Sequence, residues 1–216
     1  LPRITHDGSW VRLDGSRFQC GVLLPIACCL LVTGCAFPGS VKPTVKVGLS
    51  APFEGLHRDL GYEALHAVRL AVQQRNDAGG VGASYWVELV ALNDFDEPEE
   101  AVIQARKMAV DSDMLGVLGG WSLETARVAT PEYERLGLVF LTPGADPEGY
   151  RVSQAEDPAF RDAYLVLSGG EPPGVVAGWA YEAANRLLDA LDTAARTEGR
   201  PSRIGVQTAL DVDQRQ

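Results

Sequence analysis

Two short segments carry backbone and side chains that could hold a small solute. Gly119-Gly-Trp-Ser122 opens a helical pattern, and Thr142-Pro-Gly-Ala-Asp146 follows a short apolar run. The first amides of a helix have no partner within it, and with the positive end of the helix dipole they favour a carboxylate. Gly119 and Gly120 would let such a group come close to the backbone. Trp121 could wall an apolar pocket. The same residues have a plainer use. The Ser122 hydroxyl can accept from a free amide and cap the helix, an acid such as Glu124 is favoured in the first turn, and Trp121 can simply pack. A third loop, Ala51-Pro-Phe-Glu-Gly-Leu-His57, has the same standing.

Other chemistry is poorly supplied. Asp94 and Asp96 invite a metal or acid–base reading, yet no matching nucleophile or glycine-rich phosphate loop accompanies them. His6, His57 and His66 form no ligand cluster, and Gly79-Gly-Val-Gly82 ends a helical pattern where a dinucleotide fingerprint would open one. All four cysteines, Cys20, Cys28, Cys29 and Cys35, lie in the first 35 residues. A thiol nucleophile, a disulfide framework or a multi-cysteine metal site is therefore excluded from the chain after Cys35. The 216 residues carry 29 acidic and 19 basic side chains, a net charge of −10 without a basic patch. Such a surface disfavours nucleic acid. The expectation is a protein that is not an enzyme and uses neither metal nor cofactor.

The elements that must position these loops alternate in type. Strand patterns fall at residues 45–50, 85–90, 114–118 and 138–141, and helical patterns at 61–76, 98–110 and 123–136. Three further helices follow at 158–167, 175–196 and 201–210, without strands between them. Strands separated by helices of this length make right-handed βαβ units and a parallel sheet covered on both faces. In such sheets ligands bind at the carboxyl ends of the strands, where all three loops lie. The apolar fraction of 46% is enough for an ordinary core. The expected fold is one Rossmann-like α/β lobe over residues 45–210, with 211–216 as a tail.

The first 35 residues read as a processing segment. Arg12 and Arg17 precede the 13-residue apolar run Gly21–Thr33, then Gly34 and Cys35. This is the order of a secretory signal, and the run is too short to span a bilayer. Leu31-Val-Thr-Gly-Cys35 resembles a bacterial lipobox, which implies removal of residues 1–34 and lipid attachment at Cys35. Residues 35–44 would then be a tether on the extracytoplasmic face of the membrane.

A wider resemblance runs through nearly all of residues 45–210. It rests on Val45-Lys-Val-Gly-Leu-Ser50, on Ala71-Val-Gln-Gln-Arg-Asn76 with Gly79-Gly-Val81, and on Asn93-Asp94 with Asp96-Glu-Pro98. It continues through Gly116-Val-Leu-Gly-Gly-Trp-Ser122, Gly137-Leu-Val-Phe-Leu-Thr-Pro-Gly-Ala145, Asp157-Pro-Ala-Phe160 and Trp179-Ala-Tyr-Glu-Ala-Ala184. In order and spacing these resemble the branched-chain amino acid/amide-binding family of periplasmic substrate-binding proteins, the receptors of ABC importers. The resemblance implies the N-terminal lobe of a type I periplasmic binding protein, with most of the second lobe missing between Asp146 and Asp157. It implies a small polar or aliphatic amino-acid-like solute as ligand and an ABC permease as partner. It also implies ligand contacts at Ser122, or at Leu123 if one position later, and at Gly144 and Asp146. Asp146 stands where the family has a threonine, and its charge would repel a ligand carboxylate, so binding is expected to be weakened or altered. The alternative is a non-transport interaction module or a receptor remnant that binds no amino acid.

Overall fold

Strand alternation sorts the side chains into two layers. In β1 (Thr44–Ala51) Val45, Val47, Leu49 and Ala51 are buried in one apolar cluster, while Lys46, Gly48 and Ser50 turn to the opposite face. β2 (Trp86–Asn93), β3 (Met114–Leu118) and β4 (Val139–Leu141) join it in a parallel sheet of order β2-β1-β3-β4. The computed structural model describes residues 42–145 and 157–213. Cys35 with its leader, and Asp146, lie outside the described residues.

Among the described residues, six helices cover the sheet. α1 (Arg58–Asp77), α4 (Pro158–Ser168), α5 (Val175–Glu198) and α6 (Arg203–Asp213) build the cluster with Val47 and Leu49. α2 (Pro98–Val110) and α3 (Leu123–Arg135) build the second cluster, with Met114, Val117 and Tyr133. α1 leads from β1 outward to β2, and α2 crosses back over β1 to β3. The chain thus changes direction between β1 and β3, the point at which open α/β sheets bind ligands.

Two glycines let helices approach the sheet from opposite sides. A Cβ on Gly48 would lie 2.6 Å from Sδ of Met108 in α2, and one on Gly116 would lie 2.5 Å from Cδ1 of Leu187 in α5. At the amino end of the sheet, Arg203 donates to the carbonyls of Ala109, Asp111, Met114 and Leu136, tying the ends of α2 and α3 to the start of β3. Gly79 and Gly80 end α1 with positive φ, and the Gly80 amide donates to the Arg75 carbonyl at 2.9 Å.

The expected α/β fold with a parallel sheet is the observed one, and all ten elements fall where the residue pattern puts them. The differences are at the ends. β2 runs on to Asn93 because it pairs with β1 along its whole length, as far as Ala51↔Asn93. Tyr85 falls outside it, in an antiparallel bridge with Val81. α6 runs on to Asp213, past the expected boundary at residue 210.

Candidate functional site

The loops following all four strands meet at the carboxyl edge of the sheet. Oδ1 of Asn93 accepts from the amides of Phe53 (2.9 Å) and Phe95 (3.0 Å), which joins the loops after β1 and β2. Asp94 is buried beneath them, with Oδ2 accepting from Ser50 Oγ at 2.7 Å and Oδ1 from the Asp96 amide at 3.0 Å. Burial pushes the Asp94 carboxyl above its ordinary range, against the opposing effect of the Ser50 hydrogen bond. Phe95 and Asp96 both have left-handed backbone, with φ of 56° and 60°. Such geometry is unfavourable away from glycine, and the side chains of Asn93 and Asp94 hold it in place.

The loop after β3 is built on Trp121. Its side chain is 6% exposed and its indole N–H donates to the Ser50 carbonyl at 2.9 Å, so it packs under the loop. Ser122 is the N-cap of α3 in a reciprocal capping box with Thr125. Its Oγ accepts from the Thr125 amide at 3.4 Å and donates to Oδ1 of Asp96 at 2.6 Å. The amides of Leu123 and Glu124 precede the first bond of the helix, Ala126 N–H to the Ser122 carbonyl. Nε2 of His57, on the loop after β1, stands 3.9 Å from Oδ2 of Asp96.

Gly144 closes the arrangement. A Cβ there would lie 2.6 Å from both Cα and the carbonyl oxygen of Trp121, so the loops after β3 and β4 touch backbone to backbone. Trp121, Ser122 and Gly144 are therefore brought together, while Asp146 lies outside the described residues. The sequence reading missed the bond between Asp96 and Ser122 and the bridging amide of Asn93. The capping box is a local pattern, but its partner on the loop after β2 is not.

Among the described residues the edge is open and partly apolar. Leu56 and Phe95, on the loops after β1 and β2, and Leu123, at the start of α3, are 90%, 42% and 68% exposed. Among the described residues no helix is long and apolar enough to cross a membrane. Among them, too, no group of three or more histidine, cysteine, aspartate or glutamate residues could hold a metal ion.

Known proteins share this architecture. The curated protein of Pseudomonas aeruginosa called amino acid binding protein is 24% identical over 134 residues, 62% of this chain and 34% of its own length. The leucine-, isoleucine-, valine-, threonine-, and alanine-binding protein of the same species is 29% identical over 116 residues, 54% of this chain and 31% of its own. The chain thus spans about a third of the length of the curated relatives it matches. Among solved structures, the substrate-binding protein LivJ of Streptococcus pneumoniae, in complex with isoleucine, superposes with a TM-score of 0.64 at 13% identity, covering 77% of this chain and 87% of that one. An ABC transporter substrate-binding protein of Desulfitobacterium hafniense, in complex with Leu, gives 0.62 at 14% identity, covering 78% and 89%. At these identities the likeness shows the fold. The pattern describing the family "Periplasmic binding protein" matches residues 44–156, more than half of the chain. The chain belongs to that family of solute-binding proteins, as its motifs imply.

Proposed function

We propose that this chain is a substrate-binding lipoprotein of an ABC-type amino acid or amide importer whose ligand binding is weakened or altered. The observation that carries the binding reading is the packing of Gly144 against the Trp121 backbone, next to Ser122, at the direction change between β1 and β3 and beside the first amides of α3. The amides of Leu123 and Glu124 and the backbone near Gly144 would hold a polar group of the ligand. The relatives named for binding leucine, isoleucine or valine support a small aliphatic amino acid as the reference ligand.

Weakened binding is supported by the Asp96 carboxylate. It lies against the end of α3 that would receive a ligand carboxylate and already accepts the hydrogen bond of the Ser122 hydroxyl. A carboxylate ligand would meet this charge and, as the family resemblance implies, that of Asp146. An open edge also leaves each contact in competition with water, where a hydrogen bond contributes only about 1 kcal/mol net. Free aliphatic amino acids should therefore bind more weakly than about 1 mM, roughly −4 kcal/mol. Isothermal titration with an amino acid panel tests this, using wild type, Asp96→Asn and Asp146→Thr. Each variant should bind carboxylates more tightly than wild type, and micromolar affinity in the monomeric wild type would refute the weakened site.

The lipoprotein part of the reading rests on the residue order ending at Cys35. A Cys35→Ser variant expressed with its leader should lose lipid labelling and leave the membrane fraction, and unchanged labelling would refute the anchor. The exposed Leu56, Phe95 and Leu123 favour a second reading, an interaction module whose edge meets another protein surface. Leu56→Glu with Leu123→Glu should then abolish partner binding while leaving amino acid titrations unchanged.

A further inference from the structure

Away from Ser122 and Gly144, one face of α1 gathers a different chemistry. Asp59, Tyr62, Glu63 and His66 fall at i, i+3, i+4 and i+7, a single stripe of the helix. It runs beside the apolar stripe of Ala64, Leu65, Val68 and Ala71 that enters the core. Tyr164 of α4 and Glu171 before α5 stand opposite, and these six residues, with Pro172, line a cavity of about 480 Å³. The rings run in series: Tyr62 and His66 have centroids 6.4 Å apart, and His66 meets Tyr164 edge-on at 6.0 Å and 88°.

The lining holds three carboxylates and no lysine or arginine. Arg58 reaches Asp59 at 3.4 Å from an exposed position, and one oxygen of Glu63 accepts from the Ala177 amide at 2.8 Å, at the start of α5. Burial, and secondarily Arg69, push the His66 pKa down and favour a neutral ring. Its Nδ1 is buried and has no hydrogen-bond partner among the described residues. A buried ring nitrogen left unpaired is unfavourable, and a bound N–H donor would satisfy it.

Aromatic faces interleaved with carboxylates attract cations. A bare metal ion is a poor match, because these acids stand around the rings and do not converge as a ligand set. We propose that this cavity binds a compact organic cation carrying N–H groups, a primary ammonium or a guanidinium. Tyr62 and Tyr164 supply aromatic walls, Asp59, Glu63 and Glu171 the countercharge, and Nδ1 of His66 an acceptor. The site shares no residue with the Ser122–Gly144 edge and does not depend on the importer reading.

Isothermal titration of the full chain with n-butylammonium chloride tests the proposal. The expected result is saturable one-to-one binding that weakens about tenfold in Tyr62→Leu and in Glu171→Gln. Both positions are exposed, and unchanged melting curves check that the variants fold. Tetramethylammonium, of equal charge but without an N–H donor, should bind at least about fivefold more weakly. Ser122→Ala should leave butylammonium affinity unaltered, which separates this cavity from the sheet edge. No saturable binding up to about 50 mM, or binding that neither variant moves, overturns the proposal. Equal affinities for the two cations overturn it as well, by removing the N–H requirement.

Discussion

The Ser122 hydroxyl donates to Oδ1 of Asp96 across 2.6 Å, joining the cap of α3 to the loop after β2. The same oxygen accepts from the Thr125 amide, so one atom both starts a helix and pins a neighbouring loop. Ser122→Ala should lower stability by about 1–2 kcal/mol, from loss of the cap and of a charge-assisted hydrogen bond. Ser122→Thr should retain most of it. Urea denaturation of the three proteins measures this, and an alanine variant as stable as wild type would contradict the dual role.

Gly144 is constrained by contact and not by φ. Gly144→Ala would set its methyl 2.6 Å from the Trp121 backbone, and neither main chain can yield as a flexible side chain would. The expected cost is about 1–3 kcal/mol, with the loops after β3 and β4 forced apart. Increased quenching of Trp121 fluorescence by acrylamide would report the opening, best read in a background with the other tryptophans replaced.

Glu132 gives a pH dependence of definite sign. Its carboxylate accepts from Arg135 and Arg106, with closest approaches of 2.7 Å to each. Arg135 first, then Arg106, hold its pKa down at about 2, against an ordinary 4.5. A carboxyl whose folded pKa is depressed contributes stability that is present above the unfolded value and lost as pH falls through the folded one. Glu132→Gln should therefore be less stable than wild type at neutral pH, and the difference should shrink between pH 4.5 and about 2. Thermal melts across that range test it.

The helices after residue 157 complete the core. α5 buries Ala180, Ala184, Leu187, Leu188 and Leu191, and Leu187 meets the sheet where Gly116 leaves room. A chain ending at Gly169 would expose that face of the sheet and α1, and should be insoluble or melt without cooperativity. A soluble truncated form with a sharp transition would show that α1 and α4 cover the sheet alone.

Much of the architecture was legible because it is written in short-range periodicity. Val45, Val47 and Leu49 alternate, while Ala64, Leu65, Val68, Ala71 and Val72 follow the helical repeat, and each pattern commits its segment locally. Pro98 and Pro158 stand in the first turns of α2 and α4, and Gly79 and Gly80 end α1, for equally local reasons. Ser122 as a cap needs only Thr125 three residues on. The exact extent of β2 was not legible, because pairing with β1 sets it and not its own composition.

Local residue patterns specify the set of elements and their order, and therefore the parallel sheet and the edge where the loops gather. Which side chains meet at that edge is settled by packing between distant segments. Ser122 and Asp96 are 26 positions apart, and Ser50 and Asp94 are 44 apart. No local pattern relates such residues, because their contact depends on the sheet placing β2, β1 and β3 side by side. Trp121 shows the same division: its spacing allowed either a pocket wall or a packed anchor. The Ser50 carbonyl lies within reach of its indole N–H once β1 and β3 are paired, and the buried donor is satisfied there.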